Sequence, residues 1–442
     1  MLTDRELRAL ADTAFAASAA DQTEVVVREV DAALTRFANN SIHQNVAERN
    51  VEFTVRAVVG RRLGVATGND LSPGGIRRVV ERASILAQHS PELPDFQSLP
   101  RPQPLPSNDG WSETTAASSP EARARFALPV CRRAAEAGFV ASGYVEIRAE
   151  QITVANSLGL FASTRRTSAG AMAVVQGDGG SGYADRFARD AAQIDPMELA
   201  EEALGRARRS RNPIEVAPGE YDVVLEPYAV ADILSALSFL GFGARSVQDQ
   251  TSFLSGRFGE RVMGENISIW DDPRGEEVIP EPFDPEGVPS RRVDLIVKGV
   301  AAGVVYDTLT ASRAGKESTG HALPPGSTFG PLARHLYLAP GTDDDLVRAV
   351  DRGLLVTRFW YTRPVHPLTV TMTGMTRDGV FLIERGEVVA AVKNLRFTHS
   401  YLAALNAVTG ISRRTKLEID EINTVVPRLR VAGWRFTSAT AH

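Results

Sequence analysis

Cysteine and long apolar runs are almost absent from this sequence of 442 residues. The single cysteine, Cys131, rules out an intramolecular disulfide, so a reducing compartment is the simpler expectation. No stretch approaches the roughly 18 uninterrupted apolar residues of a membrane-spanning helix. Residues 1–18 carry charges where a secretion signal would have its apolar core. We therefore expect a cytoplasmic protein with no membrane partner.

An excess of positive charge is also missing. Lys and Arg number 49 against 54 Asp and Glu, which gives a formal net charge of −5. Such a chain has no overall attraction to a phosphate backbone or to an anionic lipid surface. We accordingly expect no nucleic-acid ligand, although a local basic patch stays open.

Histidines are few and scattered. A catalytic zinc ion needs about three protein ligands, and two of them commonly lie one helical turn apart. The closest pair in this sequence is 14 residues apart, and the histidines are His43, His89, His321, His335, His366, His399 and His442. With one cysteine and no clustered histidines, we expect no zinc site within this chain.

Sequence signals of other common active sites are lacking or weak. Neither a G-x-S-x-G elbow nor a Walker A pattern occurs. The run GDGGSG at 177–182 has the spacing of a dinucleotide-binding loop, but a strand-like segment follows where a helix would be needed, so we predict a hairpin loop. Cys131 beside Arg132 and Arg133 could be an activated thiolate, although inert packing is the favoured interpretation.

The pattern of apolar residues divides the chain into two parts. We predict a mixed α/β N-terminal domain with an antiparallel sheet over residues 1–215, followed by a β-rich, barrel- or sandwich-like C-terminal domain over residues 216–442. The fold class is therefore α+β, with a convincing helix at 227–241 in the second domain. In the first domain, SPGGIRRVVERASILAQHS predicts a helix with Ser72 as its N-cap and Pro73 in its first turn. The proline-rich residues 91–120 are expected to be extended and superficial.

Residues 379–397, GVFLIERGEVVAAVKNLRF, predict a hairpin that turns at Arg385 and Gly386. The return strand, 387–392, is apolar on both faces, which is typical of an inner strand. It ends in Lys393, Asn394 and Arg396, and Ser400 is the predicted N-cap of the last helix. The two cations and the amide could hold the carboxylate or carbonyls of an extended peptide, or could pair with an acid such as Asp378.

Several segments resemble one protein family. The segments similar to the TldD/PmbA family, known as modulators of DNA gyrase and classed as metallopeptidases, are GLLVTRFWYTRPV, ASRAGKESTGHA, the run from Thr369 through the hairpin to Ser400, and the N-terminal FANNSIHQNVAERNVEFTVRAVVGRRLGVATGND. The similarity runs nearly end to end. It implies an α/β domain before a β-rich domain, as expected above, and dimers that enclose a channel in which unfolded peptides are cleaved.

The resemblance also indicates the type of subunit. TldD-type chains carry a His-Glu-x-x-x-His helix (HExxxH) and a distant cysteine as zinc ligands, and PmbA-type (TldE) chains lack them. The corresponding segment here is roughly Ser235–Leu240, SALSFL, and no cysteine follows Cys131. The resemblance therefore implies no catalytic residue, cofactor or metal in this chain, with zinc in a TldD-like partner.

The family resemblance gives a set of candidate residues for substrate binding or subunit contact: Arg377, Asp378, Lys393, Asn394 and Arg396. The expected partners are an unfolded peptide and either a TldD-like subunit, in a heterodimer, or a second copy of the chain. Two other hypotheses stay open. The chain could be a non-catalytic peptide-binding or scaffolding homodimer, or it could hydrolyse peptides alone through a non-metal nucleophile.

Overall fold

The first half of the chain forms a six-stranded antiparallel sheet. The computed structural model describes residues 1–107 and 110–439, so His442 lies outside the described residues. The strands are β1 (Gln22–Ala38), β2 (Ser41–Val59), β3 (Arg62–Gly68), β4 (Val140–Asn156), β5 (Phe161–Gly177) and β6 (Gly180–Ala188). Their order across the sheet is β3-β2-β1-β4-β5-β6. The turn between β5 and β6 is the GDGGSG run, so the predicted hairpin loop is confirmed.

Helices cover this sheet and begin where the sequence supplies capping side chains. They are α1 (Asp4–Ala17), α2 (Pro73–His89), α3 (Glu113–Ala116), α4 (Pro120–Glu136) and α5 (Pro196–Arg209). The Ser72 hydroxyl accepts a hydrogen bond from the Gly75 N–H, and Pro73 opens α2 as expected. Helices α1 and α2 bury their apolar faces against β1–β3, while α4 and α5 bury theirs against β4–β6.

The proline-rich segment is less superficial than expected. Residues 91–107 and 110–112 form no helix or strand, but Phe96 and Leu99 are buried against Val58 of β2, and Glu113–Ala116 of the same predicted segment form α3. These two large apolar side chains are buried despite the polar residues and prolines around them, because removing each from water lowers the free energy of the folded chain. Asn108 and Asp109, within the same predicted segment, lie outside the described residues.

The second half is built on a barrel. Its strands are β7 (Gly219–Leu225), β8 (Ile269–Asp271), β9 (Val293–Val297), β10 (Val300–Ala301), β11 (His335–Leu338), β12 (Arg352–His366), β13 (Thr371–Glu384), β14 (Glu387–Val392), β15 (Leu395–Ser400), β16 (Val408–Ile419) and β17 (Asn423–Ala439). Strands β7, β12, β13, β15 and β17 close into a ring, because β17 also pairs with β7. The α+β class with a β-rich second half is confirmed, in its barrel form.

Short helices pack against the barrel: α6 (Pro227–Leu237), α7 (Ala244–Gln248), α8 (Thr308–Ala314) and α9 (Tyr401–Asn406). Helix α6 continues into a π-helical turn at Ser238–Phe242, which together match the predicted helix at 227–241. The main core lies between α6 and the barrel and includes Phe359, Phe397 and Trp434, whose rings stack within 4.6–5.4 Å.

The hairpin of β13 and β14 turns as predicted, but its second strand is not an inner strand. Arg385 and Gly386 have φ of 50° and 80°, which is the conformation of a type I′ turn. Strand β14 lies at an edge and pairs with β13, and Val388 and Val389 are 37% and 51% exposed. The expectation of an inner strand was wrong because an apolar pattern on both faces does not show whether a second neighbour exists. Ser400 caps α9 as expected.

Buried ion pairs join the two halves. Arg56 of β2 contacts Glu286 at 3.0 Å, Arg166 of β5 contacts Glu281, and Lys416 of β16 contacts Asp185 of β6 at 2.5 Å. The second sheet begins at Gly219, and the boundary near 215 stays a prediction.

Candidate functional site

A cleft of about 570 Å³ lies between the N-terminal sheet and the barrel. Strands β4–β6 form one wall, and helix α6, strands β12 and β13, and the β16–β17 turn form the other. The lining residues are Tyr144, Met172, Val174, Tyr183, Asp185, Phe187, Tyr228, Ala231, Asp232, Ser235, Arg358, Phe359, Trp360, Tyr361, Thr362, Arg363, Arg377, Glu418, Ile419, Asp420, Ile422 and Thr424. Polar and aromatic side chains predominate in this lining, which is typical of sites that bind ligands specifically.

Cationic and aromatic side chains alternate along the cleft wall. The Arg377 guanidinium lies 4.6 Å from the Trp360 ring. The Arg358 guanidinium lies 4.8 Å from the same Trp360 ring and 4.1 Å from the Tyr183 ring. Tyr183 meets Tyr228 edge-on at 5.1 Å, and the Lys416 ammonium lies 3.8 Å from the Tyr228 ring. Each such contact fixes the position of a long side chain, so the wall is preorganised.

Backbone irregularities on β12 and β13 determine which of their side chains form this wall of the cleft. A regular strand points alternate side chains to opposite faces, yet the consecutive residues 358–363 all line the cleft. The pairing of β12 with β13 shifts between Trp360 and Arg363, and Tyr361 has a φ of 57°. This bulge redirects side chains toward the cleft. Asp378 also has a positive φ, 56°, and its buried carboxylate holds Arg358 at 2.5 Å.

A buried lysine lies between carboxylates at the floor of the cleft. The Lys416 ammonium donates to Asp185 Oδ1 and to Glu418 Oε1, both at 2.5 Å, and the Tyr183 hydroxyl donates to Asp185 Oδ2 at 2.7 Å. Burial alone would lower the pKa of Lys416, but attraction to Asp185 and Glu418 outweighs it and raises that pKa above its ordinary range. Burial raises the pKa of Glu418 more than Lys416 lowers it.

Asp232 is a second carboxyl in the wall, on helix α6. The Tyr401 hydroxyl donates to its Oδ1 at 2.5 Å, and the Thr362 hydroxyl donates to its Oδ2 at 2.7 Å. Burial raises the pKa of Asp232, and the two hydroxyls offset part of this rise. Asp232 thus links α6 to the barrel and can hold a proton at the cleft.

Family models match most of the chain. They are described as PmbA/TldA metallopeptidase domain 1, over residues 23–87, the central domain, over residues 115–211, and the C-terminal domain, over residues 218–438. The chain belongs to the PmbA/TldD metallopeptidase family.

Individual PmbA/TldD relatives are distant in sequence and close in fold. An uncharacterized protein of Methanocaldococcus jannaschii is 32% identical over 41% of this chain and 44% of its own length, so the chain spans less than half of that relative. Metalloprotease PmbA of Escherichia coli O157:H7 is 24% identical over 91% of this chain and 92% of its own length. The crystal structure of TldE from Thermococcus kodakarensis superposes with a TM-score of 0.90 at 21% identity, covering 98% of this chain and all of that one (100%). This last likeness shows the PmbA/TldD fold.

The predicted site residues do not all meet. Arg377 lines the cleft, and Asp378 lies directly behind it, paired with Arg358. Lys393 pairs instead with Glu215 at 2.7 Å, and Arg396 is exposed on β15 opposite Met375. Asn394, which lies between Lys393 and Arg396 in the sequence, is partly buried. The role of all five residues stays a prediction, but in this PmbA/TldD chain only Arg377 and Asp378 adjoin the cleft.

Other residues singled out from the sequence lie away from the cleft. Cys131 is buried in α4, and burial raises the pKa of its thiol, which favours inert packing. His321 is buried and contacts Asp271 at 2.8 Å. His335 is also buried, and burial lowers its pKa. None of these three residues lines the cleft.

Sequence reasoning missed Trp360, Tyr183, Asp185, Asp232 and Lys416. The run TRFWYTR at 357–363 carried a usable signal, because two arginines flank three consecutive aromatic residues within one strand. Asp232 stood as a lone acid in an apolar helix, which is a sign of a buried polar contact. Asp185 and Lys416 are far apart in sequence, and no local pattern connects them.

The cleft of this PmbA/TldD chain does not fit a zinc ion. Its lining contains no histidine and no cysteine, and Asp185, Asp232 and Glu418 already accept hydrogen bonds from neighbouring side chains. Across residues 1–107 and 110–439, no group of three or more histidine, cysteine or acidic side chains is arranged to hold a metal. In the same described ranges, no helix combines the length and apolar character that crossing a membrane requires.

Proposed function

We propose that this chain is the metal-free, PmbA (TldE)-type subunit of a TldD/TldE-type metallopeptidase complex. In this proposal the complex degrades unfolded peptides, a TldD-like partner with an HExxxH helix supplies the zinc, and this chain contributes chamber wall and substrate binding. The observation that carries the proposal is the cleft itself. Ser235, at the start of the segment that corresponds to the zinc helix, lines a cleft whose aromatic and charged lining contains no cysteine or histidine.

The edge of β12 supports binding of an extended peptide. Strand β7 pairs with β12 over Gly353–Val356, and residues 358–363 beyond that pairing line the cleft. An extended peptide can form main-chain hydrogen bonds with such an edge, and binding of this kind depends little on the peptide's sequence. The side chains of Trp360 and Tyr361, 40% and 67% exposed, would then contact the peptide's apolar groups.

An exposed apolar surface supports contact with a partner subunit. Tyr361, Val365 and Leu368, at the far end of the β12–β13 hairpin, are 67%, 55% and 48% exposed. Contiguous exposed apolar side chains commonly mark interaction sites. This surface adjoins the cleft, so a partner that covers it would close the chamber.

Reconstitution tests the proposed function. The chain alone, a TldD-like subunit from the same genome alone, and the two mixed would be incubated with an unfolded, fluorescently labelled peptide. We expect zinc-dependent cleavage that is greatest in the mixture and is abolished by a chelator. Cleavage by this chain alone that survives the chelator would contradict the proposal and favour a non-metal nucleophile, whereas unchanged peptide binding with no effect of any partner would favour the scaffolding homodimer.

A further inference from the structure

Two arginines face each other across the strands at the mouth of the cleft. Arg358 on β12 is paired directly with Arg377 on β13. Like charges in this arrangement are unfavourable unless an anion lies nearby. The nearby anion is Asp378, whose Oδ2 is 2.5 Å from Arg358 but 3.9 Å from Arg377. The Asp378 carboxylate therefore pairs mainly with Arg358, and its attraction to Arg377 is weaker.

Arg377 and Arg363 are held ready for another anion. The Arg377 side chain is 38% exposed and stacks on Trp360, and Arg363 stacks on Tyr361 at 4.5 Å. Stacking fixes the plane of a guanidinium while leaving the N–H groups at its edge accessible to a planar, bidentate acceptor. Arg363 Nη1 also donates to the Thr362 carbonyl at 3.3 Å. Within the described residues, Arg363 forms no ion pair and Arg377 has no carboxylate partner besides Asp378.

The acidic groups of the cleft do not cancel this positive charge. Asp185 and Glu418 are bound by Lys416, and Asp232 is bound by two hydroxyls. Asp420 lines the cleft and also a neighbouring cavity that includes neither Arg363 nor Arg377. The arginines that line the cleft, Arg358, Arg363 and Arg377, all lie on β12 and β13.

We propose that Arg377 and Arg363 form a carboxylate-binding subsite for the peptide substrate. A carboxylate of the peptide, either at its C-terminus or on an acidic side chain, binds the guanidinium edges, and Trp360 and Tyr361 pack against the neighbouring apolar groups. This inference rests on the proposed function, since it names a class of peptide that the cleft prefers.

Matched peptides test the subsite in the full chain. Three labelled decapeptides of one unstructured sequence would be titrated by fluorescence anisotropy: one with a free C-terminus, one amidated, and one amidated with an internal Gln replaced by Glu. We expect the wild-type chain to bind at least one carboxylate-bearing peptide about tenfold more tightly than the neutral one, because charge-assisted bidentate contacts are strong. The arm that shows the preference identifies the source of the carboxylate.

Substitutions then locate the effect. Arg377→Gln and the double variant with Arg363→Gln should remove the preference for a carboxylate, and Arg377→Lys should restore part of it. Arg348→Gln is the matched control, since Arg348 is 83% exposed and lies outside the cleft lining. Circular dichroism would confirm that each variant is folded.

The outcomes separate the two proposals. Equal affinity of the wild-type chain for all three peptides, or a preference that survives in the double variant, would overturn the subsite and leave the proposed function standing. Failure of every peptide to bind, both to the chain alone and to the complex with its partner, would overturn the proposed function itself.

Discussion

At the scale of single residues, the cleft depends on buried polar groups that are almost fully paired. Lys416 is an example of such pairing. Its side chain is 20% exposed, and two carboxylates and an aromatic ring surround its ammonium group. Taking a charge out of water is costly, and close partners repay the cost only when they are all present. Removing one partner should therefore be far more damaging than removing a surface ion pair.

Replacing Lys416 by Met should lower the free energy of unfolding by about 3 kcal/mol, because it leaves Asp185 and Glu418 buried together without their cation. Replacing Lys393 by Met is the matched control. Lys393 pairs with the exposed Glu215 at 2.7 Å, and surface pairs contribute at most about 1 kcal/mol. Urea denaturation of both variants checks the difference, and equal losses would show that the Lys416 cluster is not a buried network.

Asp232 makes stability depend on pH in a defined direction. Its pKa is raised in the folded chain by burial, so between the ordinary pKa of an aspartate, about 4, and the raised value the folded state binds more protons than the unfolded state. The stabilisation that Asp232 contributes is complete below about pH 4 and is lost as the pH rises through the raised pKa. Water in the cleft limits the size of this effect.

The Asp232→Asn variant isolates that contribution. An amide cannot ionise but can still bond the hydroxyls of Tyr401 and Thr362. The stability difference, variant minus wild type, should rise with pH from about 4 upward and then level off, with a slope no greater than about 1.4 kcal/mol per pH unit. Denaturation curves at several pH values would measure it. A difference that is flat, or that falls as pH rises, would contradict the raised pKa.

At the scale of elements, the π-helical turn that ends α6 separates two environments. Ser235 lines the cleft, while Ser238, three residues later, is buried and donates its hydroxyl to the Ala333 carbonyl at 2.5 Å. A π-turn widens the helix by one residue per turn, and such turns often occur at functional sites. Here the turn fixes the end of α6 to the segment before β11.

Two serine-to-alanine substitutions test this arrangement. Ser238→Ala should cost about 1–3 kcal/mol of stability, because it leaves the buried Ala333 carbonyl without its donor. Ser235→Ala should change stability by less than about 0.5 kcal/mol, since the hydroxyl faces the cleft and its loss leaves no buried polar group without a hydrogen-bond partner. Thermal or urea unfolding of both variants gives the comparison, and a cost at Ser235 as large as that at Ser238 would contradict it.

Elements defined by local chemistry were predictable, and those defined by distant partners were not. Ser72 and Ser400 cap helices as expected, and Arg385-Gly386 turns the hairpin, because each signal lies within a few residues. Strands β16 and β17 were not predicted, although β17 closes the barrel by pairing with β7, about 200 residues earlier in the chain. The cleft wall was only partly predicted: Arg377 and Asp378 were named, but the bulge at Tyr361 that turns Trp360 and Arg363 toward them leaves no simple pattern in sequence.

At the scale of the whole molecule, the cleft exists because two halves are held in register by ion pairs that cross between them. Arg56–Glu286, Arg166–Glu281 and Lys416–Asp185 each join a strand of the first sheet to the second half. The cleft therefore combines residues that neither half contains alone. In our proposal, its lining binds and orients a peptide, and a partner supplies the groups that bind zinc.

The zinc stoichiometry of the purified chain tests this division of roles most directly. The chain, incubated with excess zinc and then passed over a desalting column with a weak competing chelator, would be analysed by mass spectrometry for bound metal, beside a TldD-like subunit treated in the same way. The account predicts far less than one zinc per molecule for this chain and about one for the partner, since a zinc site needs about three well-placed ligands. One zinc retained per molecule of this chain alone would contradict it.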